Sequence, residues 1–131
     1  HGSPQIPALY AAEPGYEIIG EVGVPAIREK SVRQTSRIFE ICDAHGWPVR
    51  TPREVNRRGG TVVVDIPNGD AVVKEMAVRN VLADYRPGAG IRISPHLYTT
   101  EDDITSTFET IEDIVKTRAY EKHLQQRGSQ Y

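Results

Sequence analysis

The stretch that decides the fold class is TVVVDIPNGDAVVKEMA, residues 61–77. Its first part, Thr61–Ile66, is β-branched at every position except Asp65, which predicts a strand. Pro67–Asp70 predicts a turn that caps a helix. The apolar face of that helix would hold Val72, Val73, Met76 and Ala77. A strand followed directly by a helix indicates a domain that mixes both kinds of element.

Two further strands are predicted downstream of this unit. The first runs from about Val81 to Tyr85 and is followed by a loop at Arg86–Gly90. The second is the short segment Ile91–Ile93. Gly88–Gly90 leads into a strand rather than a helix, so it is a turn and not a dinucleotide-binding loop.

A final helix is predicted after residue 100. Thr100 has the character of an N-cap, and Asp103 completes a capping box. The tail after Arg118 is polar and is expected to fray. The side chains predicted to be buried by this helix are Ile104, Phe108, Ile111 and Val115.

The N-terminal part is predicted to be helical. Two short helical pieces between residues 6 and 23 would be broken at Pro14–Gly15, a strong turn signal. A longer helix would begin near Pro25 and end at about His45, before Gly46. Its apolar face would contain Ile27, Ser31, Ile38 and Cys42. The order of elements predicts an α+β fold with a small, mostly antiparallel sheet of three to four strands packed against helices.

Composition restricts the function classes. The 131 residues carry a formal net charge of −2 with a pI near 6.1, which gives no attraction to nucleic acid or to an anionic membrane. No apolar run approaches the roughly 20 residues that span a bilayer. Cys42 is the only cysteine, so no internal disulfide can form. We therefore expect a cytoplasmic protein without a nucleic-acid or membrane partner.

The inventory of reactive residues is small. Cys42 lies on the apolar face of a helix and is expected to be buried and unreactive. His45, His96 and His123 lack the spacing of a metal site, so no metal is expected.

Two segments could bind a ligand. Strand alternation directs Arg92 away from Ile91 and Ile93, so its guanidinium could bind a carboxylate, although a solvated surface arginine fits the same pattern. Gly2 and Ser3 could contact a phosphate, although a plain N-terminal turn or the remnant of a tag fits them equally.

Four segments together resemble the class V aminotransferases and kynureninases. IRISPHLYTTEDDI (91–104) is similar to their C-terminal arginine signature, and EIIGEVGVPAIREKSVRQTSRIFEIC (17–42) resembles the long interdomain helix. RRGGTVVVDIP (57–67) resembles the strand that opens their small domain, and HGSP (1–4) resembles their G-[TS]-P turn. The resemblance covers the chain to about Thr117.

This resemblance implies the C-terminal domain of a fold type I enzyme that uses pyridoxal 5'-phosphate. It implies that Arg92 binds the substrate carboxylate, supported by His96 and Tyr98, and that Gly2 and Ser3 bind the cofactor phosphate of the partner subunit in a homodimer. The family's cofactor-bearing lysine lies in a large upstream domain. The chain alone is therefore expected to hold no cofactor, to contain no catalytic residue and to be inactive as an isolated fragment.

The resemblance also implies an organisation and leaves the reaction open. Residues 1–24 would be an interdomain segment, 25–118 the small domain and 119–131 a polar tail. The long helix and the RRGG strand are closer to kynureninase, whereas SPHLYTT is closer to aminotransferases and epimerases. Cysteine desulfurase fits least, because its nucleophilic cysteine lies on a loop shortly before the arginine strand, and this chain has no cysteine there. The alternative to all of these is a stand-alone α+β binding or regulatory module.

Overall fold

The computed structural model describes residues 5–124. The elements within that range are α1 (Ile6–Val22), α2 (Val24–His45), β1 (Val62–Val64), α3 (Gly69–Val78), β2 (Asp84–Arg86), β3 (Gly90–Ile93), α4 (Glu101–Thr117) and α5 (Glu121–Leu124), with a 3-10 turn at Val55–Arg57. The predicted α+β class with a small antiparallel sheet is confirmed. None of the helices in the described range is long and apolar enough to cross a membrane.

The first helix, α1, corrects the sequence prediction. It is one continuous helix with Pro14 inside it, not two pieces separated at Pro14–Gly15. A proline in a helix interior removes one backbone hydrogen bond and weakens the helix, but it need not end it. α1 buries none of its residues, and large apolar side chains such as Leu9 and Tyr10 are exposed.

The second helix, α2, has the predicted bounds. Pro25 lies at its start, and Gly46 ends it with a φ of 66°, a conformation that glycine adopts without strain. The N–H of Trp47 then donates to the carbonyl of Cys42 at 2.9 Å and closes the last turn. Ile38 and Cys42 are fully buried. The predicted inward face is therefore confirmed in part, because the other two predicted residues, Ile27 and Ser31, are only half-buried.

The three strands form an antiparallel sheet in the order β1–β3–β2. The second strand begins at Asp84, not at Val81 as predicted. The reason is the end of α3, where the N–H of Val81 donates to the carbonyl of Met76 at 2.9 Å. This bond ties residue 81 to the helix, so pairing with β3 starts three residues later.

The hydrophobic core lies between the inward face of the sheet and helices α2, α3 and α4. Fully buried members from these elements are Ile38, Val62, Val64, Val72, Met76, Ile91, Ile111 and Ile114. Burial of this apolar surface is the main force that holds the helices on the sheet.

Helix α4 begins at the predicted capping box. The hydroxyl of Thr100 accepts from the N–H of Asp103 at 3.1 Å, and the carboxylate of Asp103 accepts from the N–H of Thr100 at 2.8 Å. Ile104, Phe108 and Ile111 are buried as predicted. The next buried position is Ile114, whereas the predicted Val115 is only half-buried.

The sequence predicts that the tail frays after Arg118, and the structure of the described residues differs from this prediction. Residues 121–124 form α5, which packs on α3. Lys122 Nζ and His123 Nε2 lie 2.8 and 2.9 Å from Glu75 Oε2. A buried carboxylate with two partners on α5 therefore holds this short helix against the domain.

Candidate functional site

Arg92 lies on the outward face of the central strand. Its neighbour Ile91 is fully buried, whereas the Arg92 side chain is 42% exposed, which agrees with the predicted alternation. In the sheet register Arg92 stands opposite Val63 of β1 and Asp84 of β2. Because β3 is hydrogen-bonded on both sides, the backbone that carries Arg92 is held on a rigid element.

Asp84, Arg86 and Arg92 form a charged group on this outward face, which we call the arginine cluster. The Oδ2 atom of Asp84 lies 2.8 Å from Arg86 Nε and 3.1 Å from Arg92 Nη2. That oxygen is buried between the two guanidinium groups, although neither contact has the alignment of a hydrogen bond. Two cations share one anion, so the arginine cluster retains one uncompensated positive charge.

The close approach of β3 to β1 depends on Gly90. Its φ of +132° is strained for any other residue, and a Cβ at this position would lie 2.4 Å from the carbonyl oxygen of Val64. Gly90 therefore lets β3 pair with β1 in the register that places Arg92 opposite Val63.

The turn that follows β3 is tied to α2 through Gln34. This buried side chain donates from Nε2 to the carbonyls of His96 and Thr99, at 3.2 and 3.0 Å. The N–H of His96 donates to the Thr99 hydroxyl at 2.9 Å, and the rings of His96 and Tyr98 lie 4.3 Å apart. The predicted supporting residues are therefore held in a structured turn just beyond Arg92.

An open cleft of about 300 Å³ separates this turn from α1 and α2. It is lined by Ile19, Val24, Ile27, Ser31, Gln34, Pro95, His96 and Leu97. The wall contributed by the two helices is mostly apolar, so the cleft can accommodate a non-polar group close to the turn that carries His96.

The other reactive side chains are occupied in the fold. Burial raises the pKa of the Cys42 thiol to about 12, so the thiolate that could act as a nucleophile does not form near neutral pH. His45 stacks on Trp47 and lies 3.3 Å from Glu112, and His123 contacts Glu75. Within residues 5–124, no group of three His, Cys, Asp or Glu side chains is arranged to hold a metal ion.

Sequence reasoning located Arg92 but missed the residues around it. The D-x-R spacing of Asp84 and Arg86 places both on one face of a strand, which is the signal that could have identified them. Gln34 lies between Ser31 and Ile38 at helical spacing, so a polar residue on an apolar face was visible. The proposed phosphate contacts Gly2 and Ser3 lie outside the described residues.

Comparison with known protein families identifies the domain. A model of the kynureninase C-terminal domain matches residues 27–111, which contain most of α2, the whole sheet, α3 and the larger part of α4. The chain belongs to this family. Arg92 and its two charged neighbours all lie inside the matched range.

Curated kynureninases are similar over most of the chain. The protein from Pseudomonas fluorescens is 28% identical over 124 residues, and that from Burkholderia mallei strain SAVP1 is 29% identical over the same length. Each match covers 91% of this chain but 30% of the relative. The chain thus spans about a third of the length of these kynureninases.

Solved structures confirm the fold. The apo cysteine desulfurase from Thermococcus onnurineus NA1 superimposes with a TM-score of 0.79 over 88% of this chain and 32% of its own, at 18% identity. A NIFS-like protein gives 0.74 over 89% and 35%, at 21% identity. The fold is therefore that of the C-terminal domain in fold type I enzymes that use pyridoxal phosphate.

Proposed function

We propose that this chain recognises the α-carboxylate of an amino-acid substrate within a kynureninase-type enzyme that uses pyridoxal 5'-phosphate, and that Arg92 makes the contact. The observation that supports this is the arginine cluster, which is half-exposed, lies on two paired strands and retains one positive charge. A planar guanidinium binds a carboxylate through two parallel hydrogen bonds. The resemblance of residues 91–104 to the family signature supports the same residue.

The described lysines do not fit the covalent attachment of the cofactor. Such a lysine lies in a dry pocket with a lowered pKa, whereas none of the four here is buried. Two are engaged in ion pairs, with Glu112 and with Glu75. The four are Lys30, Lys74, Lys116 and Lys122. Attachment would therefore depend on residues outside this chain, and the isolated chain would be inactive.

When bound, pyridoxal phosphate supplies an electron sink for the chemistry at the substrate's α-carbon. The contribution of this chain would be to bind and orient the substrate. Fixing the carboxylate at Arg92 sets which bond of the substrate faces the cofactor, and such positioning can account for a large part of a rate enhancement. Gly2 and Ser3 remain proposed contacts to the cofactor phosphate in a partner subunit.

Among the reactions of this superfamily, we propose the kynureninase type, which hydrolyses a carbon–carbon bond of the substrate side chain. The family model and the curated relatives both carry that name. A desulfurase reaction needs an accessible cysteine nucleophile, and Cys42 is fully buried with a raised pKa. The structural likeness to a cysteine desulfurase therefore concerns the fold alone.

The test uses the full-length, cofactor-loaded enzyme that carries this domain, with Arg92→Lys and Arg92→Ala variants. L-Kynurenine and its carboxamide are compared as substrates. We expect kcat/KM for the acid to fall about tenfold or more, because a charge-assisted bidentate contact contributes roughly 1.5–3 kcal/mol. The carboxamide should change by less than about twofold, because it lacks the carboxylate that the arginine fork binds.

The matched control is Arg33→Gln, which removes an exposed arginine of an ordinary ion pair on α2. Structural damage would lower the rates with both substrates in parallel. An Arg92→Ala enzyme that still prefers the acid by the wild-type ratio would overturn the proposal.

A further inference from the structure

Asp84 carries a negative charge next to Arg92, where it competes with a substrate carboxylate for the guanidinium. Asp84 stands directly opposite Arg92 in the sheet, and a lone Arg–Asp pair in this position would be neutral. Such a pair would also offer a substrate carboxylate a guanidinium that another carboxylate already occupies. Taken by itself, the Asp84 contact therefore opposes carboxylate recognition.

Arg86 changes that balance. It lies two residues after Asp84 on the same face of β2, and its Nε atom approaches Asp84 Oδ2 more closely than Arg92 does, at 2.8 against 3.1 Å. The two distances are similar, so each guanidinium interacts with the carboxylate to a similar extent, and Arg86 offsets the negative charge of Asp84. The arginine cluster therefore carries one net positive charge, and Arg92 still has a neighbour that restricts where its guanidinium can lie.

We propose that Arg86 is a positioning residue that acts on Arg92 through Asp84: Arg86 neutralises Asp84, so that Asp84 orients Arg92 without occupying it. This inference rests on the proposed role of Arg92. Within residues 5–124, no other carboxylate lies within ion-pair distance of Arg92. The assignment predicts that the effect of Arg86 on substrate binding disappears once Asp84 no longer carries a charge.

The experiment is a double-mutant cycle in the full-length, cofactor-loaded enzyme. The variants are Arg86→Gln, Asp84→Asn and the combination of the two, assayed with L-kynurenine and its carboxamide. Arg33→Gln is the matched control, because its side chain is as exposed as that of Arg86, 59% against 56%, and it also pairs with one carboxylate.

We expect Arg86→Gln to raise KM for the acid by up to about fivefold, with kcat within about twofold, as for the loss of an exposed ion-pair partner. In the Asp84→Asn background the same substitution should change KM by less than about twofold. The carboxamide should show neither effect, because it presents no carboxylate to Arg92. A merely structural role for Arg86 would not produce this dependence on Asp84 and on the substrate's charge.

The outcomes separate this inference from the function on which it rests. If Arg92→Lys leaves the preference for the acid intact, both fail. If Arg92→Lys abolishes that preference while Arg86→Gln behaves like Arg33→Gln, only the role of Arg86 fails. If Arg86→Gln raises KM equally in both backgrounds, Arg86 contacts the substrate directly and the positioning role is wrong.

Discussion

Helices α1 and α4 are equally long, at 17 residues each, but they relate to the rest of the molecule in opposite ways. α4 directs one apolar stripe, including Phe108 and Ile111, into the core. α1 is richer in apolar residues, and it buries none of them. Apolar content alone therefore does not say whether a helix packs. What matters is whether the apolar positions share one face and meet a complementary surface.

The core that stabilises the domain contains no residue of α1, whose apolar side chains face solvent. The sheet, α2, α3 and α4 share one core, whereas α1 contributes no residue to it and packs mainly on its neighbour α2. An exposed apolar surface of this kind is typical of an interaction site. We expect the stability of the isolated chain to depend on α4 and to be nearly independent of α1.

The largest effect should come from truncation of a core side chain on α4. Ile111 is fully buried, so Ile111→Ala removes buried surface and leaves a cavity; we expect the free energy of unfolding to fall by about 2–5 kcal/mol. The control is Ile18→Ala on α1, where the side chain is 53% exposed, and we expect a change within about 0.5 kcal/mol. Urea denaturation followed by circular dichroism measures both. If both variants lost similar free energy of unfolding, α1 would contribute to stability as much as α4, and the expected difference between the two helices would be wrong.

Most of the fold could be predicted from the sequence because its signals are local. The strand at Val62–Val64, the bounds of α2 and the capping box of Thr100 all depend on residues within a few positions of each other. Two of the errors, at the start of β2 and at α5, arose where distant contacts decide. The start of β2 depends on pairing with β3, and α5 forms because Glu75, far away in the sequence, holds it.

The site was predictable to the same extent and for the same reason. Alternation placed Arg92 on the outward face, because the orientation of strand side chains follows from their immediate neighbours. The pairing of Asp84 with Arg92 depends on the hairpin register, which a short strand with a misplaced start does not reveal. The charge of the arginine cluster therefore became visible only with the structure.

An intermediate effect is expected at Glu75, where a peripheral helix is attached by charge instead of apolar contact. Hydrogen bonds lower the pKa of Glu75 from 4.5 to about 2, and the bond from Lys122 has the largest effect, followed by that from His123. Glu75→Gln should reduce the free energy of unfolding at pH 7 by about 1–3 kcal/mol, between the values for exposed and buried ion pairs. The control is Glu29→Gln, which removes an exposed pair on α2.

The sign of the pH dependence follows from the lowered pKa. A carboxylate whose pKa is lower in the folded protein stabilises that state above its unfolded pKa, and the benefit is lost as the pH falls through the folded value. The difference between wild type and Glu75→Gln should therefore be full above about pH 5 and shrink steadily toward about pH 2. Chemical denaturation at several pH values would measure it. A difference that stays constant over this range would mean that Glu75 acts through its shape and not its charge.

The smallest effect on global stability is expected from Pro14→Ala, which removes the proline inside α1. The substitution restores one backbone hydrogen bond and replaces the poorest helix former with the best, a local gain of up to about 3 kcal/mol. Because α1 shares no core with the sheet, this gain should slow amide exchange within α1 and leave the urea midpoint of the domain unchanged. Gly20→Ala, also in α1 and with open space around it, should act in the same direction with about a third of the local gain. Residue-resolved hydrogen exchange measures the local stability of α1, and urea denaturation measures the global stability of the domain. A rise of the global free energy by more than about 1 kcal/mol in either variant would show that α1 unfolds together with the core, and the separation between the two regions would be wrong.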